Sequence, residues 1–117
     1  MMHVKIAKNH YLGQEGAKRL NCAQSIISAF KDKYDFDEKI IDSFWQFGSG
    51  RAPDGQCGAY YAAKYILENK RADIKTDKLD QYFIEQAGSL VCHDIRKSKK
   101  LSCARCVEKS AEFIAAL

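Results

Sequence analysis

Apolar residues recur along this chain at the three- and four-residue steps of one helix face, and nowhere do β-branched residues alternate long enough to make a strand. Ala23, Ile26, Ile27, Phe30 and Tyr34 form one stripe behind Asn21, a favourable N-cap type, so a helix is predicted from about Cys22 to Tyr34. The acidic start Asp35-Phe36-Asp37-Glu38 suits the positive end of a helix dipole, and Ile40, Ile41, Phe44 and Trp45 follow as a second stripe that ends at Gly48. A third long helix resumes at Cys57 with Ala59, Tyr60, Ala63, Ile66 and Leu67, its alanine-rich face suited to close packing. A fourth is expected from Asp77 to Ala87 with Leu79, Phe83 and Ile84 inward, and a last from about Ser102 to Leu117 with Val107, Ala111, Ile114 and Ala115 inward. Val4, Ala7 and Tyr11 suggest an N-terminal helix. The expected architecture is all-α, a compact single-domain bundle of about five to six helices over residues 1–117.

One clear loop interrupts the pattern. Gly48-Ser49-Gly50-Arg51-Ala52-Pro53-Asp54-Gly55 holds three of the seven glycines and the only proline, and Pro-Asp-Gly is a turn sequence. No Gly-Lys-Ser/Thr follows it and no strand precedes it, which argues against a phosphate loop. Close backbone approach to a cluster, a disulfide or a facing helix explains the glycines as well.

At 117 residues the chain is long enough to bury a core without covalent staples, so its cysteines are not needed as scaffold. A composition of 46% hydrophobic and 29% charged residues is that of a globular protein. With no apolar run long enough to span a bilayer and no signal-like segment at the start, the expectation is a cytoplasmic location without membrane insertion. The net charge of +4 comes largely from Arg96, Lys97, Lys99, Lys100, Arg105 and Lys109. These residues lack interleaved aromatics and any binding motif, so a solvated basic face is expected rather than a nucleic-acid surface, with attraction of an acidic partner or small anion as the alternative.

The chemistry that remains is that of five cysteines. An odd number fits poorly with a fully paired secreted framework, and in a reducing compartment clustered cysteines read as catalytic, redox-cycling or metal-binding. Cys22, Cys57 and Cys103 each fall at a predicted helix start, where free amide N–H groups and partial positive charge stabilise a thiolate; Cys92 falls in the connection before the last helix. Cys103-Ala104-Arg105-Cys106 has the Cys-x-x-Cys spacing of dithiol, zinc and iron–sulfur sites, yet neither a βαβ frame nor a second matching pair accompanies it. His3 and His10 add little, and His93 matters only for adjoining Cys92. No Ser/His/Asp set or inward carboxylate pair supports hydrolysis.

Asn21-Cys22-Ala23-Gln24, Phe47-Gly48-Ser49-Gly50, Cys57-Gly58-Ala59, Cys92 and Cys103 together resemble the redox-active proteins named for the C_GCAxxG_C_C arrangement of cysteines. Cys103 matches the fourth cysteine better than Cys106 does, because Val107 lies four residues after Cys103, as in the family's terminal pattern. The sequence departs from the pattern at Ala62, where the motif has its last glycine, and Cys106 is additional. The resemblance spans residues 4–117 and implies an all-helical, redox-associated protein of bacterial or archaeal type; it supplies neither substrate nor cofactor.

Two functional classes are therefore expected to compete. In the first, Cys22, Cys57, Cys92 and Cys103 converge as a redox centre, with a redox partner protein or small thiol outside it. It works by reversible disulfides, with Cys57 attacking and Cys22 or Cys92 resolving, or by holding an iron–sulfur cluster on those four thiolates, with Gly48, Gly50, Arg51 and Gly58 around the cofactor. In the second, the protein is a non-enzymatic module in which zinc on Cys92, Cys103 and Cys106, with or without His93, fixes the C-terminal hairpin, or a helical interaction protein with incidental cysteines.

Overall fold

The computed structural model describes residues 2–69 and 75–117. Eight α-helices occur among them: α1 (Met2–Leu12), α2 (Cys22–Ala29), α3 (Lys31–Tyr34), α4 (Glu38–Ser43), α5 (Gly58–Asn69), α6 (Thr76–Ala87), α7 (Cys92–Ser98) and α8 (Cys103–Ala115). Single 3₁₀ turns cover Phe44–Phe47 and Pro53–Gly55. The described residues contain no β-strand, only an isolated antiparallel bridge between Gln56 and Val91.

The all-helical expectation holds, and the count of five to six does not. The stripe that suggests one helix from Cys22 to Tyr34 is broken at Phe30, whose φ of −108° and ψ of 12° end α2 and start α3. The segment 92–98, expected as connection, forms the short helix α7, which buries only Ile95 and so leaves no stripe to read.

Helix α2 is the centre of the packing. Seven of its eight residues are buried, and it lies against α1, α5 and α8. Its start is built by a reciprocal cap: Asn21 Oδ1 accepts from the Gln24 N–H at 2.9 Å, and Gln24 Oε1 accepts from the Asn21 N–H at 3.3 Å. The same two side chains tie α2 to the next segment, Asn21 Nδ2 donating to the Trp45 carbonyl at 2.9 Å and Gln24 Nε2 to the Ile41 carbonyl at 3.3 Å.

Most inward assignments hold, including Ile41, Phe44, Ala59, Tyr60, Ala63, Ile66, Leu67, Val107, Ala111 and Ile114. Ile84 is a correction: α6 packs through Leu79, Phe83 and Ala87, one residue per turn, which leaves Ile84 45% exposed. Trp45 is another. The three-residue repeat of a 3₁₀ turn sets Phe44 edge-on to Phe47 and swings Trp45 outward, where the Arg51 guanidinium covers its ring at 4.4 Å.

Asn21→Ala removes both the cap and the tie to Trp45, and urea unfolding should show a loss of roughly 1–2 kcal/mol. Asn21→Asp keeps the cap acceptor and should recover about half of it.

Candidate redox site

All four cysteines singled out by the sequence sit at helix starts. Cys22, Cys92 and Cys103 are the first residues of α2, α7 and α8, and Cys57 immediately precedes α5. Cys106 lies one turn into α8, buried on its inner face. The five thiols are free and line a single small cavity of about 50 Å³, with Tyr11, Asn21, Ser49, Gly58, Ile95 and Arg96 completing the wall.

Three backbone features bring these helix starts together. The Cys57 N–H donates to the Leu90 carbonyl at 2.8 Å beside the Gln56–Val91 bridge, which pins Cys57 next to the start of α7. Gly58 has no side chain where α2 and α5 meet: a Cβ there would lie 2.7 Å from Cys22 Sγ and 2.6 Å from the Phe47 carbonyl oxygen. Gly50, at φ +77°, closes the loop onto Cys92, since its Cβ would stand 3.2 Å from that of Cys92.

The other two loop residues expected around a cofactor sit elsewhere. Gly48 makes room for the cap, because a Cβ would meet Asn21 Nδ2 at 2.5 Å. Arg51 is turned away from the thiols, donating to the carbonyls of Gly48 at 2.9 Å and Trp45 at 2.8 Å. The cation in the cavity wall is Arg96, raised above its ordinary pKa by the neighbouring Cys103 and Cys92 sulfurs. Burial first, then neighbouring Cys103, pushes the Tyr11 hydroxyl up to about 12.

Burial decides the electrostatics of three thiols, against the expectation that helix starts lower them. Burial pushes Cys22 up, and neighbouring Cys57 adds to it, although the N–H groups of Ser49 and Ala23 pull the other way. Cys57 is pushed well above its ordinary value by its hydrogen bond to Cys106 and by burial, which the N–H groups of Tyr60 and Ala59 only partly oppose. Cys92 is raised by burial despite Arg96. Cys57, expected as the attacking thiolate, is only 6% exposed, beside Cys106 at 2%, and its surroundings favour the neutral thiol. Cys22, Cys92 and Cys103 are half-buried.

His93 is exposed and lines a neighbouring cleft rather than the thiol cavity. Among the described residues no group of three or more His, Cys, Asp or Glu side chains is arranged to hold a metal ion.

A family model described as "Putative redox-active protein (C_GCAxxG_C_C)" matches residues 20–117, a span that contains all five cysteines. The chain belongs to the C_GCAxxG_C_C family. Comparison with curated proteins and with solved structures yields no match. Within the C_GCAxxG_C_C span lies every residue of the cavity wall except Tyr11, which comes from α1. Among the wall residues that the sequence does not assign to the site are Arg96 and Tyr11. Arg96 stands four residues after Cys92, one helical turn away, and would have been visible had 92–98 been recognised as helical. Tyr11 left no signal, since nothing local links α1 to α8.

Gly58→Ala tests the close approach. Helix propensity alone would make alanine stabilising, whereas the blocked contact should destabilise by about 1–3 kcal/mol in urea melts and speed alkylation of Cys22. The raised thiols give a pH dependence as well. Above the ordinary value of 9.0 the unfolded chain loses these protons first, so the stability they contribute is complete below that pH and is lost as pH rises through the higher native values. Urea midpoints of wild type and Cys57→Ala should accordingly draw together between about pH 7.5 and about pH 10.

Proposed function

We propose that this protein is a thiol–disulfide exchange carrier in which Cys103 meets the outside partner and Cys106 resolves the mixed disulfide. The observation that carries this is the convergence of five free thiols on one cavity, with Arg96 and Tyr11 in its wall and Cys103 open also to the cleft lined by Arg96 and Lys99. Cys103 is half-buried, so a partner disulfide can reach it.

The exchange balances in two steps. Cys103 sulfur attacks one sulfur of the partner's disulfide; that S–S bond breaks, a Cys103 mixed disulfide forms, and the departing thiolate takes the proton Cys103 gave up. Cys106, three residues on along the same helix face, then attacks Cys103 Sγ, and the second partner thiolate leaves with the Cys106 proton. The protein dithiol is oxidised by two electrons and the partner disulfide is reduced to two thiols. Residues three apart on a helix have Cβ atoms roughly 5–6 Å apart, more than a disulfide allows, so the first turn of α8 must tighten to close the bond. Behind this pair, Cys57 hydrogen-bonds Cys106 and offers the buried continuation of the exchange.

The test is oxidation of the fully reduced protein with a small disulfide, followed by peptide mapping and by reduction with a dithiol. A reversible Cys103–Cys106 disulfide is expected, and Cys103→Ser should slow oxidation at least 10-fold. Thiols that do not cycle, a Cys103→Ser variant that oxidises as fast as wild type, or an anaerobic preparation carrying iron and acid-labile sulfide on these cysteines would overturn the proposal.

A further inference from the structure

Two side chains of the thiol cavity, Arg96 and Cys103, also line a separate outer cleft of about 310 Å³ together with Lys99, Leu101 and Ser102. Cys103 therefore stands in the wall between the outside and the buried thiols. The charge of the outer cleft is one-sided. Among the described residues Arg105 and Lys109 are paired with Glu108 and Glu112, whereas no ion pair engages Arg96 or Lys99. The basic cluster that the sequence places between residues 96 and 109 is thus partly neutralised on α8 and left unneutralised beside the reactive sulfur.

We propose that this cleft binds a small disulfide carrying a carboxylate, with Arg96 and Lys99 holding the carboxylate, Leu101 against the carbon chain and Cys103 facing the S–S bond. This names the substrate class for the thiol exchange proposed above and rests on it. Two uncompensated cations within one small cleft attract an anion and disfavour a cationic analogue, and the preference must weaken with salt because both cations border solvent. The redox step is the exchange already balanced, with the anionic disulfide as oxidant and two carboxylate-bearing thiols released.

The other outer cleft lies at Cys92, with Ser49, Gly50, Gly55, Val91, His93 and Arg96. Arg96 is the sole lysine or arginine lining that cleft, whereas Arg96 and Lys99 both line the cleft at Cys103. The anionic substrate is accordingly assigned to the Cys103 side.

The experiment compares three symmetric disulfides on the reduced wild-type protein: a dicarboxylate, an uncharged diol and a diamine. Each rate is divided by the rate of the same disulfide with a neutral small thiol, and the first mixed disulfide is located by mass spectrometry. The dicarboxylate should lead the diol by about 10-fold at low salt, falling to about 2-fold at high salt, with the diamine slowest. Arg96→Gln keeps a donor but no charge, and Lys99→Asn suits the left-handed backbone found there; each should cut the dicarboxylate-to-diol ratio at least 3-fold. Equal normalised rates, a preference for the diamine, an unchanged ratio in both variants, or a first mixed disulfide at Cys92 would overturn the substrate assignment. If the diol still cycles Cys103 and Cys106 reversibly, the exchange itself stands and only the anion preference falls. If none of the three oxidises these thiols reversibly, both fail.

Discussion

The contact on which this site depends is the meeting of α2 and α5 at Gly58, where the Cys22 sulfur and the Phe47 carbonyl occupy the space of a missing side chain. Everything that lines the cavity follows from that approach. It sets Cys22 against Cys57, and the backbone bond from Cys57 to Leu90 then sets Cys57 against Cys92. Helix α8 closes the arrangement by packing against α2 and α5, which brings Cys103 and Cys106 to the same point. A glycine and one backbone hydrogen bond thereby gather thiols that lie up to eighty-four residues apart, Cys22 to Cys106, without any covalent link.

Two opposed electrical effects act on these sulfurs. Each helix start offers amide N–H groups that favour a thiolate, and those of Ser49, Ala23, Tyr60 and Ala59 are aimed at Cys22 and Cys57. Burial and the proximity of further thiols act the other way and win at Cys22, Cys57 and Cys92, because ionising one sulfur in a small, dry cavity has to be done beside others that resist it. Cys103 differs in its position, since it lines both the thiol cavity and the outer cleft of Arg96 and Lys99. That difference, rather than the helix starts the sulfurs share, distinguishes one thiol from the rest.

The helices and their inner faces were legible because α2, α5, α6 and α8 bury apolar residues at regular three- and four-residue steps. Helix α7 was not, since seven residues with one buried side chain carry no period. Missing it displaced Cys92 from a helix start and hid Arg96, and the cation role went instead to Arg51 by its nearness in sequence to the glycine-rich loop. The family resemblance did what periodicity could not: it grouped Cys22, Cys57, Cys92 and Cys103 before any contact between them was known. Which sulfurs are reachable was beyond both, because the half-burial of Cys22, Cys92 and Cys103 and the burial of Cys57 and Cys106 depend on how α8 lies across α2 and α5.

The depth of the thiols also constrains how electrons would move under the proposed exchange. A lone thiolate is disfavoured at Cys57 and Cys22, so a state in which one buried sulfur has lost its proton without forming a bond is costly, whereas the dithiol and the disulfide both leave the cavity neutral. Transfer inside the cluster should therefore run in two-electron, two-proton steps from one neutral state to another. Exchange with an outside disulfide then falls to Cys103, which lines both the cavity and the outer cleft. The same separation keeps an arriving anion outside: its carboxylate is met at the cleft by Arg96 and Lys99, and only the sulfur it delivers passes the wall.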